Sequence, residues 1–380
     1  MDEEKKTRIL YLIYALNAGG IESFCINILN KIDLTKFDID FVVIKDPETA
    51  QFYDQTVINK GMKIIAVGDL HHGSMYKYIS TRRDIWRLIK TGRYDVVHIH
   101  SGHIDKFPDA IAAKICGIKT IIFHSHNGKL TKSVKFYRLR CIMQMIVKQF
   151  YPCIITDYFS CSDLAAKWAF PKRLIKANKV IQVNNGIDIQ RFCYSDVLRE
   201  EYRRKMRLED KFVVGHIGRF SYQKNHDFLI DIFNLIAQNN QDAVLVLVGT
   251  GELKSKIEEK VKSYGLEDRT IFYGVTRDIP GVLAAIDVFL FPSHFEGLPV
   301  VGVEVQAMAL HTIASDNISD DIKISPFWES MSLEQGAEQW AEAVLQYSNG
   351  YTRYDMSEGI TDAGFNIQRT VDLISEIYLK

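Results

Sequence analysis

Residues 8–16 read RILYLIYAL, a continuous apolar run. The run stops at Asn17-Ala18-Gly19-Gly20 and gives way to Ile21, Phe24, Ile28 and Leu29 at helical spacing. A short strand with no polar side must be covered on both faces, and a parallel sheet flanked by helices covers it. The alternation repeats. Residues 39–44, 63–67, 95–100 (DVVHIH) and 120–124 (TIIFH) are predicted strands, with helical patterns at 84–90 and 109–116. The order predicts a doubly wound α/β unit.

The rhythm then restarts. Strands are predicted at 212–217, 243–248 (AVLVLV), 270–273 and 288–291, with helices at 227–237, 252–264, 281–285 and around 304–309. A last helix over 367–379 places Ile367, Val371, Ile374 and Tyr378 on one face. Two consecutive α/β units are expected, meeting between about residues 188 and 212, and 380 residues suffice for two cores. An apolar share of 47% and a charged share of 25% exclude disordered, collagen-like and coiled-coil chains. No run of 18 uncharged apolar residues occurs, so no transmembrane helix is expected. The charged opening MDEEKKTR leads straight into a strand, so no secretory signal is expected either. The six cysteines form no C-x-x-C pair and no Cys/His cluster of zinc spacing; they read as reduced thiols, mostly core filler, of a cytosolic protein.

A net charge of zero conceals an asymmetry. Residues 1–200 carry 30 Lys and Arg against 20 Asp and Glu; residues 201–380 carry 17 against 27. A basic half can face nucleic acid, anionic lipid or a phosphorylated substrate.

The segment richest in chemistry is FPSHFEGLPVVGVEVQAMAL, residues 291–310. Glu296 precedes Gly297-Leu298-Pro299, and Glu304 follows eight residues later inside a helical pattern. Gly297 permits a tight turn. The first amides of the following helix can bind phosphate or sugar oxygens. The plain alternative makes Glu296 a helix-capping acid and Glu304 part of a solvated face. Against it, Glu304 sits in an otherwise apolar helix, where an unpaired charge is costly.

HFEGLPVVGVE resembles the E-x7-E motif of retaining glycosyltransferases with the GT-B fold, glycosyltransferase family 4. GRFSYQKNHDFLI resembles the family's Arg/Lys segment, with Arg219 and Lys224 five apart after a strand. LVLVGTGELKSKIE, IFYGVTRDIP and VNNGIDIQRF resemble further family segments, in the family's order and over nearly the whole chain. The subgroup it is most similar to makes bacterial capsular or exopolysaccharide. The resemblance implies two Rossmann-like domains facing across a cleft. An acceptor-binding domain would occupy residues 1–190 and a nucleotide-sugar domain 191–358. A helix over 359–380 would cross back to the first.

The resemblance also implies roles. Arg219 and Lys224 would contact the diphosphate of the donor, where cations stabilise the charge that develops on the leaving group, so no metal or other cofactor is expected. Glu304 would bind the ribose hydroxyls and Glu296 the donor sugar, with amides from Gly297 and Leu298. Gly274 and Val275 would lie in the stretch that covers the base. Without the family, Arg219 and Lys224 read as a surface pair near a turn. In FHSHNGK, His126 matches the family histidine beside the reacting centre, with His124 as runner-up. A lone strand-end histidine is more often merely hydrogen-bonded. Gly19 and Gly20 would let the chain approach a phosphate, or form a plain β–α turn. No D-x-D metal motif and no Ser/His/Asp triad suggests itself.

From residue 110 to 156 no acidic residue occurs, against eight Lys or Arg. Phe136, Leu139, Met143, Ile146 and Phe150 mark one helix face, with Lys132, Lys135, Arg138 and Arg140 around it. The stretch reads equally as a core helix with solvated basic flanks or as a membrane-surface helix near the acceptor entrance. After the second glutamate the family often shows Gly-Leu-Pro, where this chain has Ala309-Leu310-His311.

The expected reaction moves a sugar, with retention, from a nucleotide diphosphate to a hydroxyl of a polyprenyl-diphosphate-linked oligosaccharide. UDP is the expected carrier and the inner face of the plasma membrane the expected place. Two rivals are a nucleotide-sugar epimerase of similar fold and a noncatalytic partner or chaperone subunit. The second is expected to lose Arg219, Lys224, Glu296 or Glu304, and all four are present. A nucleic-acid binder does not account for the paired carboxylates.

Overall fold

The computed structural model describes residues 5–45, 48–68, 75–126, 128 and 137–380. The chain forms two α/β units. One runs to Gly186 and regains Ile367–Lys380; the other is Ile187–Asn366. Residues 359–366 therefore belong to the second unit, where Ile360 and Phe365 are core residues and Ile187 bridges Asn366.

In the first unit seven strands make one parallel sheet. They are β1 (Thr7–Leu12), β2 (Phe37–Val43), β3 (Ile64–Ala66), β4 (Val96–Ser101), β5 (Thr120–Ser125), β6 (Asp157–Ser160) and β7 (Val180–Gln182). Their order is β3-β2-β1-β4-β5-β6-β7. Ile9, Leu10, Tyr11 and Leu12 are all fully buried, as a strand covered on both faces requires. Helix α1 (Gly20–Lys31) covers one face with Phe24, Cys25 and Ile28. The C-terminal helix Ile367–Tyr378 joins the same core through Val371, Ile374 and Ile377. Each such side chain contributes about 1.5–3 kcal/mol through burial.

The second unit has six parallel strands: β8 (Phe212–Ile217), β9 (Ala243–Val248), β10 (Thr270–Gly274), β11 (Val288–Phe291), β12 (His311–Ser315) and β13 (Trp328–Met331). Their order, β10-β9-β8-β11-β12-β13, repeats the arrangement of the first sheet. Both sheets thus reverse winding direction once, between β1 and β4 and between β8 and β11. In open α/β sheets ligands bind outside the strand carboxyl ends at that reversal.

The helix α2 (Tyr137–Val147) departs from the core-helix reading. Leu139, Ile142, Met143, Met145, Ile146 and, just beyond, Phe150 are exposed. The residue it buries is polar: Gln144 accepts from the Ile104 amide at 3.0 Å. Arg138 and Arg140 are exposed on α2; Lys132, Lys135 and Phe136 lie outside the described residues. The cysteines depart too. All six are free, but only Cys25 and Cys161 are buried, and Cys153 is exposed.

Candidate functional site

In the second unit, β8 ends at Gly218-Arg219 and the chain makes a 3-10 turn over Tyr222–Lys224. Asn225 follows in the left-handed region (φ 54°), which asparagine tolerates. Its amide donates to the Pro292 carbonyl at 3.0 Å, tying this turn to the loop after β11. The turn aims Lys224 back across the sheet end, with its ammonium 4.8 Å over the Phe291 ring. A Cβ on Gly218 would lie 3.1 Å from the Lys224 stem, so glycine there lets the lysine pass.

Lys224 Nζ meets Glu296 Oε1 at 2.7 Å, with side-chain exposures of 14% and 8%. Ser293 Oγ also donates to Oε1 at 3.2 Å, and Gln223 Nε2 to Oε2 at 3.0 Å. Glu296 is therefore not a helix cap. The helix α4 (Val300–Ala307), counting His226–Asn239 as α3, starts at Pro299 with no side-chain cap. The E-x7-E spacing is split accordingly, with Glu296 in the loop and Glu304 in α4.

Glu304 is half-buried. Burial pushes its carboxyl up to about 7, and the Arg191 guanidinium opposes that rise. A solvated face does not account for such a group. Arg191 also donates to the Arg277 carbonyl at 3.4 Å, which places it beside the segment after β10.

Arg219 is exposed and, among the described residues, forms no side-chain hydrogen bond or ion pair. Gly249, at φ 137°, packs against the Gly218 carbonyl, where any Cβ would collide with backbone. Gly274 (φ 78°) accepts from the Gly249 amide at 2.8 Å, and Val275 beyond it is exposed. Gly297 is not in the left-handed region, so the turn does not itself demand glycine; a Cβ there would meet nothing within 4 Å. Leu298 is buried in the core, which seats the loop.

In the first unit, Gly20 opens α1, and a Cβ on Gly19 would lie 2.4 Å from a Glu22 carboxylate oxygen. The Glu22 carboxylate thus lies against this turn. The strand-end histidines are packed together. His100 Nδ1 and His126 Nε2 are 3.1 Å apart, and the rings of His124 and His126 stack at 4.0 Å. Burial pushes His126 down to about 3, so it is neutral at pH 7. His124 is fully buried.

Sequence reasoning passed over three residues here. Gln223 and Arg191 lie within the quoted segments SYQKN and DIQRF, but neither residue type announces a role. His98 was legible as the first histidine of an H-x-H pair on one strand, which puts both rings on one face. It stacks on His100 at 4.0 Å, and its Nδ1 lies 2.6 Å from the Tyr378 hydroxyl.

Comparison with known proteins bears on this arrangement. The chain is 27% identical to the putative glycosyltransferase EpsF of Bacillus subtilis (strain 168), covering 98% of this chain and 96% of that one. It is 24% identical to the UDP-Gal:alpha-D-GlcNAc-diphosphoundecaprenol alpha-1,3-galactosyltransferase of Escherichia coli, covering 95% and 94%. Among solved structures it resembles Anabaena Alr3699/HepE in complex with UDP and glucose. That likeness has a TM-score of 0.76 and 17% identity over 97% of this chain and 98% of that one. It establishes the expected fold class, two Rossmann-like α/β units. Residues 198–322, which hold Arg219, Lys224, Glu296 and Glu304, match the family Glycosyl transferases group 1.

Proposed function

We propose that this protein is a retaining glycosyltransferase of family 4. It transfers a hexosyl group from a UDP-sugar to a hydroxyl of a polyprenyl-diphosphate-linked oligosaccharide. The observation that carries the reading is the buried Lys224–Glu296 pair at 2.7 Å, set at the winding reversal of the second sheet in the same domain as Glu304. The Escherichia coli relative, named for UDP-galactose and a diphosphoundecaprenol-linked acceptor, and the UDP-bound structural relative support donor and acceptor classes. The sequence resemblance extends this to capsular or exopolysaccharide assembly at the inner face of the plasma membrane.

In this reading the second unit binds the donor and the first the acceptor. Arg219, which is exposed, and Lys224, beside Glu296, meet the diphosphate, with no metal required at that position. Glu304, ionised, accepts hydrogen bonds from the ribose hydroxyls. Glu296 holds the donor sugar, and the amides of Gly297 and Leu298 assist. Gly274 and Val275 lie along the base. His126, neutral, contacts the donor sugar as a hydrogen-bonding ring rather than a cation. The bond from the sugar's anomeric carbon to the phosphate oxygen breaks, and the bond to the acceptor oxygen forms on the same face. The acceptor's proton passes to the departing phosphate oxygen, and UDP leaves.

No helix among the described residues is long and apolar enough to cross a membrane. Contact with the bilayer is assigned to α2, whose exposed apolar side chains lie beside Arg138 and Arg140. Nucleotide sugars screened for hydrolysis and for thermal stabilisation test the function. UDP and one UDP-sugar should raise the melting temperature, and UDP affinity should be the same with magnesium and with a chelator. No response to any uridine diphosphate, or binding that requires magnesium, overturns the assignment.

A further inference from the structure

The first unit gathers three histidines from two neighbouring strands. His98 and His100 lie two apart on β4, so their side chains leave the same face. His124 sits on β5, in register with His100. All three are fully buried. One ring nitrogen from each lies within 4.8 Å of the other two.

Their hydrogen bonding sorts the nitrogens. His98 Nδ1 lies 2.6 Å from the Tyr378 hydroxyl, and Tyr378 is itself 2.7 Å from the Tyr11 hydroxyl. His100 Nδ1 is 3.1 Å from His126 Nε2. Nε2 of both rings is buried without a partner, and the His124 ring meets the Val183 backbone. Metal-binding histidines are held the same way, with one nitrogen oriented by an outer hydrogen bond and the other committed to the ion.

We propose that His98, His100 and His124 form a structural site for a first-row divalent transition ion, with zinc as its representative. Three neutral nitrogens and no oxygen ligand suit zinc, cobalt, nickel or copper rather than magnesium or calcium. Zinc–nitrogen bonds of about 2.0–2.1 Å require the nitrogens to draw closer than their present spread. The stacked His98 and His100 rings must turn about their side-chain torsions to converge. A bound ion would fasten β4 to β5 and fix His100, whose other nitrogen faces His126. It would also secure Tyr378, and with it the C-terminal helix. Since all three ligands are fully buried, the ion enters during folding and leaves only on unfolding. The inference does not depend on the glycosyltransferase reading.

The test uses the full chain without an affinity tag, refolded with and without zinc and then passed over a chelating resin. Elemental analysis should find one zinc per chain in the refolded protein. A native chelator should leave it in place, and chelator with denaturant should remove it. Cobalt refolding should give the visible absorption of a tetrahedral nitrogen site. His98→Gln and His124→Gln should each lose the metal while keeping a native circular-dichroism spectrum and a cooperative urea transition. The melting temperature of the wild type, and not of the variants, should rise on zinc refolding. A wild-type protein that binds well under 0.1 zinc per chain overturns the proposal. So does zinc that survives both substitutions and disappears when the exposed Cys153 is alkylated.

Discussion

Glu304 is where stability and binding should pull in opposite directions. Burial raises its carboxyl from an ordinary 4.5 to about 7. At about 1.36 kcal/mol per pH unit, that gap is an opposing contribution of about 3 kcal/mol once the group is ionised. A carboxyl that holds its proton more tightly in the folded state costs stability as pH rises through 4.5 toward 7, and the cost is complete above 7. Glu304→Gln has nearly the same shape and no charge. It should be more stable than the wild type by about 1 kcal/mol at pH 5.5 and about 3 kcal/mol at pH 8, measured by urea unfolding. The same change should weaken UDP binding, because the ribose hydroxyls lose a charged acceptor worth about 1.5–3 kcal/mol. Between pH 8 and pH 6 the ionised fraction of the free wild-type carboxyl falls about tenfold, and the apparent affinity should fall with it. UDP takes up a proton in the same range, so calorimetry on the variant supplies the baseline. A Gln variant less stable than the wild type at pH 8, or parallel pH curves for the two proteins, would refute the reasoning.

Glu296→Gln releases Lys224 from its partner, so turnover should fall steeply, by about 100-fold, while UDP affinity holds or rises; parallel losses of both would refute the division between sugar and diphosphate roles. Lys224→Met leaves Glu296 nearly buried and unpaired, which should cost about 3 kcal/mol in urea unfolding, and adding Glu296→Gln should restore most of it. Ala309 holds a left-handed φ of 47° just after α4, so Ala309→Gly should stabilise the protein by up to about 1 kcal/mol, and destabilisation would show that the alanine methyl matters more. Replacing Arg138 and Arg140 together with Lys132 and Lys135 by Ser should release the protein from anionic vesicles, at about 1 kcal/mol per cation, while UDP binding stays intact; a wild type that ignores such vesicles at every salt concentration ends the docking idea.

The strands that proved legible are those buried on both faces. The expected strands at 212–217, 243–248 and 288–291 appear with those bounds because their runs are almost wholly apolar. The strands β6, β7, β12 and β13 escaped notice. VIQ is three residues long, DYFS and WESM are four, and HTIAS hides Thr312 and Ser315 inside the fold. Periodicity cannot flag a buried polar residue that a backbone carbonyl satisfies; Thr312 Oγ1 donates to the Leu310 carbonyl at 3.0 Å. The apolar pattern of α2 was legible, but its direction was not, because Gln144 turns the helix by hydrogen bonds that no hydrophobic count includes. At the site, the two glutamates and Lys224 were visible by motif. The pairing of Lys224 with Glu296 was not, since it depends on the left-handed turn at Asn225. At His311, where the family often has proline, the backbone amide donates to the Tyr351 hydroxyl at 3.0 Å. Proline could not make that bond.

The first unit takes its last helix from the far end of the chain, and this sets a timetable for synthesis. While Ile187–Asn366 is still being made, Ile374, Ile377 and Tyr378 do not yet exist, and the sheet face they cover in the finished molecule must wait on the ribosome. The second unit is continuous in sequence and can close as soon as it emerges, so the half that begins first finishes last. A chain cut short anywhere before Ile367 leaves Tyr11 and His98 without their Tyr378 hydroxyl and the core of the first unit open to water. Incomplete products are thereby marked for proteases by their own exposed interior, and the first half becomes protected only after residues 367–378 have been translated.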